Sequence, residues 1–481
     1  VNGEKVIVKG VCLHKDAASF GTAVPKDVWR YRLNKLKNQG CNALRTHGPV
    51  DPVFIDVCDE MGFYLQAEAF DEWNKRWHYG YSEDPAGKKP YTYHKFFNQW
   101  AETDLKDMVK RDRNHASVFM YSVGNEVPDQ RYADGPETLK MLIDWAREED
   151  DTRMVTATCD WAPWANASGF FDIMDIAGYN YPDRYFKEHY REEHARYPDR
   201  ILLGAENYQT LENWLAVRDN PYVVGLFLWV GIDYLGESLG WPRRGWEWGL
   251  IDIGSFEKTL YYYWQAFWSE NPMVHIAVNL KEKDPFKWRS YDVASHWNFN
   301  PGDVDTVFVY SNTEKVELFQ NGKSLGKKAV DPDTYQAIYL VDYKKGDLKA
   351  NAFKGKKTVA SHTLKTAGDP EKLVLKEERE SLTTDDDRLI FLTLEVQDKI
   401  GTRCPHASDE ITVNVSGAGE LIGLDSGNQF SHELYKQNKR MAYEGRLLLT
   451  IRPKGKGEVS VKCSACDLQA ATINIQNPVT N

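Results

Sequence analysis

The chain has 481 residues, more than one ordinary core accommodates, and a barrel of roughly 250 residues followed by smaller domains is the natural division. Sixty Lys and Arg against 71 Asp and Glu give a net charge of −11 with no basic block, which argues against nucleic acid or an anionic membrane surface as partner. No run of 18 apolar residues is present, and seven scattered cysteines do not form a disulfide framework.

The chain begins without Met, and Val1-Asn2-Gly3-Glu4 resembles a hairpin turn entered from an earlier strand, so it reads as starting within a longer protein. An apolar strand from Val6 to Cys12 then ends in Leu13-His14-Lys15-Asp16, and residues 25–38 carry helical spacing. A second unit follows: the strand Cys41 to Arg45 ends in Thr46-His47, with a helix from Val53 to Met61. A third strand, Phe63 to Ala67, ends in Glu68, and Asp71-Glu72-Trp73 opens a long polar and aromatic loop before a helix from Phe96 to Arg113.

The fourth strand, Val118 to Val123, is an apolar run that delivers Gly124, Asn125 and Glu126 at its tip, followed by a helix over 136–147. The fifth, Met154 to Thr158, leads into the aromatic loop Trp161-Ala162-Pro163-Trp164. The sixth is expected over Ile173 to Ala177, ending at Tyr179-Asn180-Tyr181, with a charged helix from Asp183 to Arg196. The seventh, Ile201 to Ala205, ends in Glu206 and precedes a helix over Leu211 to Val217. The eighth, Val223 to Leu228, ends at Trp229-Val230-Gly231-Ile232-Asp233, and Lys258 to Trp268 closes the series.

Eight strands alternating with helices, with polar groups after the strands, predict a parallel (β/α)8 TIM barrel over residues 1–275, its site at the C-terminal strand ends. An open doubly wound sheet would carry a Gly-rich phosphate turn after its first strand, and none is present. Beyond Met273 the hydrophobic period falls to two, with Asn321-Gly322 a strong hairpin signal and Asp369-Pro370 a boundary. Two β-sandwich, immunoglobulin-like domains are therefore expected, over 276–368 and 369–481.

Two strand tips of one design, each ending in Glu, suggest a pair of carboxyl groups facing each other across a bound sugar. Cleaving a glycosidic bond needs a proton for the leaving oxygen and a negative group to meet charge at the anomeric carbon, so Glu126 and Glu206 are the catalytic candidates. Asn125 is placed to bind the 2-hydroxyl, Tyr179 to hold the nucleophile's oxygen and Trp229 to stack on the ring; His14 and His47 line the cleft, and Asp71 and Asp233 are hydroxyl binders. Each has a plainer reading as strand-end packing or hydrogen bonding. Glu68 pairs with Arg45 as an internal brace on this reading, and Glu72 and Glu237 are structural. A metal site built from His14, His47 and these carboxylates lacks a local ligand pair, and Cys463-Ser-Ala-Cys466, though it has a redox or zinc spacing, lies in a β-patterned tail without a second pair or a neighbouring His and is read as a structural or incidental pair, so neither metal nor cofactor is expected.

At these residues the chain resembles glycoside hydrolase family 2, the β-galactosidase, β-glucuronidase and β-mannosidase group. The resemblance rests on Lys9-Gly10-Val11-Cys12-Leu13-His14, Asn42-Ala43-Leu44-Arg45-Thr46-His47, Cys58-Asp59-Glu60-Met61-Gly62, Arg111-Asp112-Arg113-Asn114-His115 and Ser122-Val123-Gly124-Asn125-Glu126. It implies that Glu126 is the acid/base and Glu206 the nucleophile of a retaining enzyme acting on non-reducing ends. Ala116 and Tyr121 stand where the family commonly has Pro and Trp, and the two β domains that usually precede the barrel are absent from this stretch. The segment Trp229 to Asp233, with Gly249-Leu250-Ile251-Asp252 and Lys258, is similar to the galactosidase-like branch, and no Asn-x-Lys motif of the glucuronidase type lies near the eighth strand. The resemblance thus implies an exo-acting β-galactosidase on a glycan derived from an oligo- or polysaccharide, ahead of a β-glucuronidase, periplasmic or secreted, and leaves room for a homo-oligomer. A non-catalytic carbohydrate-binding module is the reading from a different class.

Overall fold

Eight parallel strands close into a barrel in the computed structural model, which describes residues 3–75, 92–186, 188, 190–238, 240–280, 292–304, 306–378 and 389–477. Val1 and Asn2 of the opening turn, and the loop beyond Lys75, lie outside the described residues. The strands are β1 (Val8–Leu13), β2 (Ala43–Thr46), β3 (Tyr64–Glu68), β4 (Val118–Asn125), β5 (Met154–Cys159), β6 (Ala177–Asn180), β7 (Leu202–Asn207) and β8 (Val223–Leu228). Pairing runs in sequence order, and β1 closes the ring on β8 with Val8 opposite Gly225. Strands covered on both faces must be apolar almost throughout, and β4 and β7 meet that demand: all of β7 and all but one residue of β4 are buried.

The helices in chain order are α1 (Lys26–Gln39), α2 (Pro52–Met61), α3 (Phe97–Asp112), α4 (Gly135–Glu149), α5 (Ala162–Ser168), α6 (Tyr190–Arg196), α7 (Leu211–Arg218) and α8 (Thr259–Trp268). Their ends are written locally. At α2 the Asp51 side chain accepts the Val53 N–H at 2.8 Å, Pro52 occupies the first turn where no amide partner is needed, and Gly62 turns left-handed at φ 66° to end it.

Two compact units emerge. The first, Val1–Lys15 with Cys41–Gly231, holds the whole barrel sheet; the second is Asp16–Gly40 with Ile232–Asn481. Within the second, α1 and α8 meet through the Gln39 Nε2 to Tyr261 carbonyl bond at 2.9 Å. Strands from Val274 to Lys365 form two four-stranded antiparallel sheets around Trp297, Val307, Val316 and Leu348, with the Asn321-Gly322 turn left-handed at both residues as a two-residue hairpin requires. Strands from Lys372 to Asn477 form two more around Leu392, Leu394, Leu447 and Val461. These are the sandwiches expected from the period-two patterning. Among the described residues no helix is long and apolar enough to cross a membrane, and all seven cysteines are free.

The sixth strand differs from expectation. Phe170–Ile173 is a tight turn, Asp175 binds the Val155 N–H with its side chain at 2.8 Å, and the strand starts only at Ala177. The aromatic loop after β5 is the start of a helix, α5.

Candidate active site

Arg45, at the end of β2, is wholly buried and carries the site. Its Nε and Nη2 donate to Glu68 Oε2 at 3.1 and 2.8 Å, Nη1 donates to Glu206 Oε1 at 2.7 Å, and Nη2 donates to Asn125 Oδ1 at 2.7 Å. A planar guanidinium with donors in fixed directions is suited to hold three acceptors from three strands at once. Asn125 Oδ1 also accepts from Thr158 Oγ1 at 2.7 Å and Asn180 Nδ2 at 3.0 Å, so its carbonyl is committed and its NH2 faces His47, 3.2 Å from Nε2.

Glu126 stands one residue beyond β4, with its N–H donated to the Thr158 carbonyl at 2.8 Å and a left-handed backbone at φ 50°. That conformation costs a non-glycine residue about 1–2 kcal/mol. Oε1 accepts from Asn180 Nδ2 at 2.9 Å. Asn180 therefore bridges Glu126 and Asn125, and Arg45 continues the network to Glu206. Burial, the charge of Asp160 and the charge of Glu206 hold the Glu126 carboxyl well above the usual carboxylate range, against the Asn180 bond and Arg184. Asp160, just past β5, is itself pushed up to about 6, chiefly by burial.

The structure brings His14, His47 and Trp229 into one cluster. The two imidazoles stack at 4.8 Å and the indole meets them edge-on at 5.5 and 5.3 Å. Burial and the neighbouring His47 drop the His14 pKa to about 2. Burial opposes protonation of His47, but the carboxylates of Asp71, Glu68 and Glu206 outweigh it and raise its pKa. Asp71, half exposed, lies 3.5 Å from His47 Nε2. His47, Glu68 and Asp71 bring ligand-type atoms within 4.8 Å of one another, with Glu68 already neutralising Arg45.

Tyr179 and Asp233 have other partners. The Tyr179 hydroxyl donates to Glu193 Oε2 at 2.8 Å and accepts from Arg200 Nη1 at 3.2 Å, and its ring stacks on Phe171 at 4.5 Å; it points to the helix side of β6. The residue that meets Glu206 is Tyr181, whose phenol burial and the Glu206 charge keep protonated as a donor to that carboxylate. Asp233 belongs to the second unit, buried with its oxygens on Lys258 Nζ at 2.8 Å and the Gly249 N–H at 2.7 Å, a closed ion pair rather than an open hydroxyl binder.

Gly124 is set by sterics. A Cβ there would lie 2.7 Å from Trp73 Cζ2, and that indole is itself fixed by its Nε1 bond to the Val123 carbonyl at 2.9 Å. Gly124→Ala is expected to lose about 1–3 kcal/mol of barrel stability through overpacking, read as a lower urea midpoint; an unchanged midpoint would mean that Trp73 yields freely.

Comparison with known proteins follows the same lines. Residues 1–213 match the model of the glycosyl hydrolases family 2 TIM barrel domain, residues 373–474 that of the glycoside hydrolase family 2 C-terminal domain 5, and residues 302–360 a domain of unknown function, DUF4982. The beta-galactosidase BoGH2A of Bacteroides ovatus is 32% identical over 99% of this chain and 62% of its own length, and a putative beta-glucuronidase of Formosa agariphila is 29% identical over 89% and 44%. The chain thus spans less than two thirds of these relatives. Among solved structures, a family 2 member from Bacteroides cellulosilyticus superposes with a TM-score of 0.87 at 32% identity, covering 99% of this chain and 63% of that one. A beta-glycosidase from Bacteroides vulgatus gives 0.83 at 28%, covering 99% and 64%. With its barrel and its last domain both matched, and a likeness that runs along nearly all its length, this chain belongs to glycoside hydrolase family 2.

Proposed function

We propose that the chain carries the active site of an exo-acting, retaining β-galactosidase working by double displacement, with Glu206 as nucleophile and Glu126 as acid/base. The observation that carries this is the contrast between the two carboxylates within one hydrogen-bonded network. Glu206 accepts from the Arg45 guanidinium at 2.7 Å, whereas burial and the charges of Asp160 and Glu206 raise the Glu126 carboxyl well above the usual carboxylate range. In the first step Glu206 attacks the anomeric carbon while Glu126 gives its proton to the leaving oxygen; in the second, water, losing a proton to Glu126, attacks the anomeric carbon and breaks its bond to Glu206, which frees the sugar with its original configuration and the carboxylate. Tyr181 donates to the nucleophile's oxygen, the Asn125 NH2, which meets His47 with one hydrogen, keeps its second for a sugar hydroxyl, and Trp229 with His14 and His47 forms the wall against the ring.

The galactoside reading takes support from BoGH2A and competes with the glucuronidases among the relatives. A panel of p-nitrophenyl glycosides tests it, with proton NMR of the first product. Fastest turnover on the β-galactoside with the β-anomer appearing first is expected; preference for the β-glucuronide would replace the sugar assignment, the α-anomer would replace the mechanism, and binding without turnover would make the chain a carbohydrate-binding module.

Asp160 tunes the acid. Its negative charge disfavours ionisation of Glu126, so Asp160→Asn should let Glu126 lose its proton at lower pH, and the basic limb of the kcat/KM profile should move toward acid. A limb that stays in place would remove Asp160 from this role.

A further inference from the structure

The acid/base protonates the leaving group, so the surface next to Glu126 is where the departing part of the substrate is met. Gln130, almost wholly buried, ties Val127, next to Glu126 in the chain, to Asp160 and Trp161: its Nε2 donates to the Val127 carbonyl at 3.0 Å and to Asp160 Oδ1 at 2.8 Å, and its Oε1 accepts the Trp161 N–H at 3.1 Å, while the Asp160 charge acts on Glu126. The segment 160–161 is thereby clamped to the residue that follows Glu126. From this clamp an aromatic group runs outward. Trp161 meets Trp164 edge-on at 4.7 Å, Trp164 meets Tyr185 edge-on at 6.3 Å, and the Arg131 guanidinium covers the Trp161 ring at 4.0 Å. Trp164 is 44% exposed and Tyr185 36%, although a helix start such as α5 needs no aromatic at that position.

Resting on the retaining-glycosidase reading above, we infer that Trp161, Trp164 and Tyr185 form the binding site for the leaving-group sugar, which matches the chain to substrates whose aglycone is itself a saccharide. A pyranose presents axial C–H groups on one face and hydroxyls around its rim. The open indole of Trp164 accepts the former, and the Arg131 guanidinium, which lies over the neighbouring Trp161 ring, offers donors for the latter. Contact with this remote ring holds the scissile oxygen at Glu126, so its binding energy appears in the glycosylation step.

The test compares leaving groups with and without a ring. In the full chain, wild type and Trp164→Ala are assayed on lactose and the galactobioses and on β-galactosyl fluoride, whose leaving fluoride cannot touch the platform. The substitution is expected to lower kcat/KM on the best disaccharide about tenfold, mainly through KM, while fluoride hydrolysis stays within about twofold and Trp164→Tyr keeps most of the disaccharide activity. Equal losses on fluoride and disaccharide, or no loss on the disaccharide, would overturn the inference. A wild type that prefers another glycosyl fluoride corrects the galactoside assignment instead, and the same disaccharide-to-fluoride ratio with that sugar then decides the platform.

Discussion

Glu206→Gln should lower turnover of an activated aryl β-galactoside by at least about 10⁴-fold, more than about 5 kcal/mol of transition-state stabilisation. The substitution keeps the shape of the side chain and an oxygen able to accept from Arg45 Nη1, so the network through Asn125 and Glu68 has no reason to collapse. What goes is the negative charge and with it the covalent intermediate. Were Glu206 only a counter-ion for Arg45, removing it would cost stability and leave turnover within about tenfold, because a buried cation deprived of a partner is the larger penalty. Thermal unfolding and kcat on the same variant therefore separate the two roles. Trapping adds a second check: a 2-deoxy-2-fluoro galactoside with a good leaving group should add its glycosyl mass to the wild type at residue 206, and to no residue in Glu206→Gln. A label on another carboxylate would reassign the nucleophile.

The barrel was legible because its strands are buried on both faces, so each appears as an apolar run that stops abruptly at polar residues; Glu126 and Glu206 stand out at such stops. The sixth strand was not. Ile173 to Ala177 is as apolar as its neighbours, yet Asp175 spends its side chain on the Val155 N–H and the strand begins at Ala177. At its tip the pairing of β6 with β7 slips by one residue between Tyr179 and Asn180, which sets the faces of these side chains in a way the apolar pattern does not record. Tyr179 consequently turns outward to Glu193 and Arg200, Asn180 turns inward to Glu126, and Tyr181, left-handed at φ 51°, reaches Glu206 from beyond the tip. Asn180 was missed for that reason, although its place between two tyrosines at a strand end was the available signal. The central role of Arg45 has no sequence signal of that kind. Its partners Asn125 and Glu206 lie 80 and 161 residues away, and no local spacing records a contact of that range. Only its pairing with Glu68, from the neighbouring strand tip, could be read in advance.

Glu126→Ala should behave differently from the nucleophile variant, and the difference carries the mechanism. With a leaving group that needs no proton, the glycosyl-enzyme still forms, and the loss falls on its hydrolysis, where a base is required; kcat should fall about 10²–10⁴-fold. Removing the side chain opens space next to Asn180, whose Nδ2 loses its acceptor there, so a small external anion can enter where the carboxyl stood. Azide should restore turnover of the activated substrate in proportion to its concentration and leave as the β-glycosyl azide, since it attacks from the face that water uses. It should give nothing with a disaccharide, whose departure still needs the missing proton. The α-azide would mean that Glu126 is the nucleophile and the two roles are exchanged. Rescue with the disaccharide would mean that the leaving group draws its proton from elsewhere, and Asp160, a raised carboxyl whose charge acts on Glu126, would then be the group to replace next.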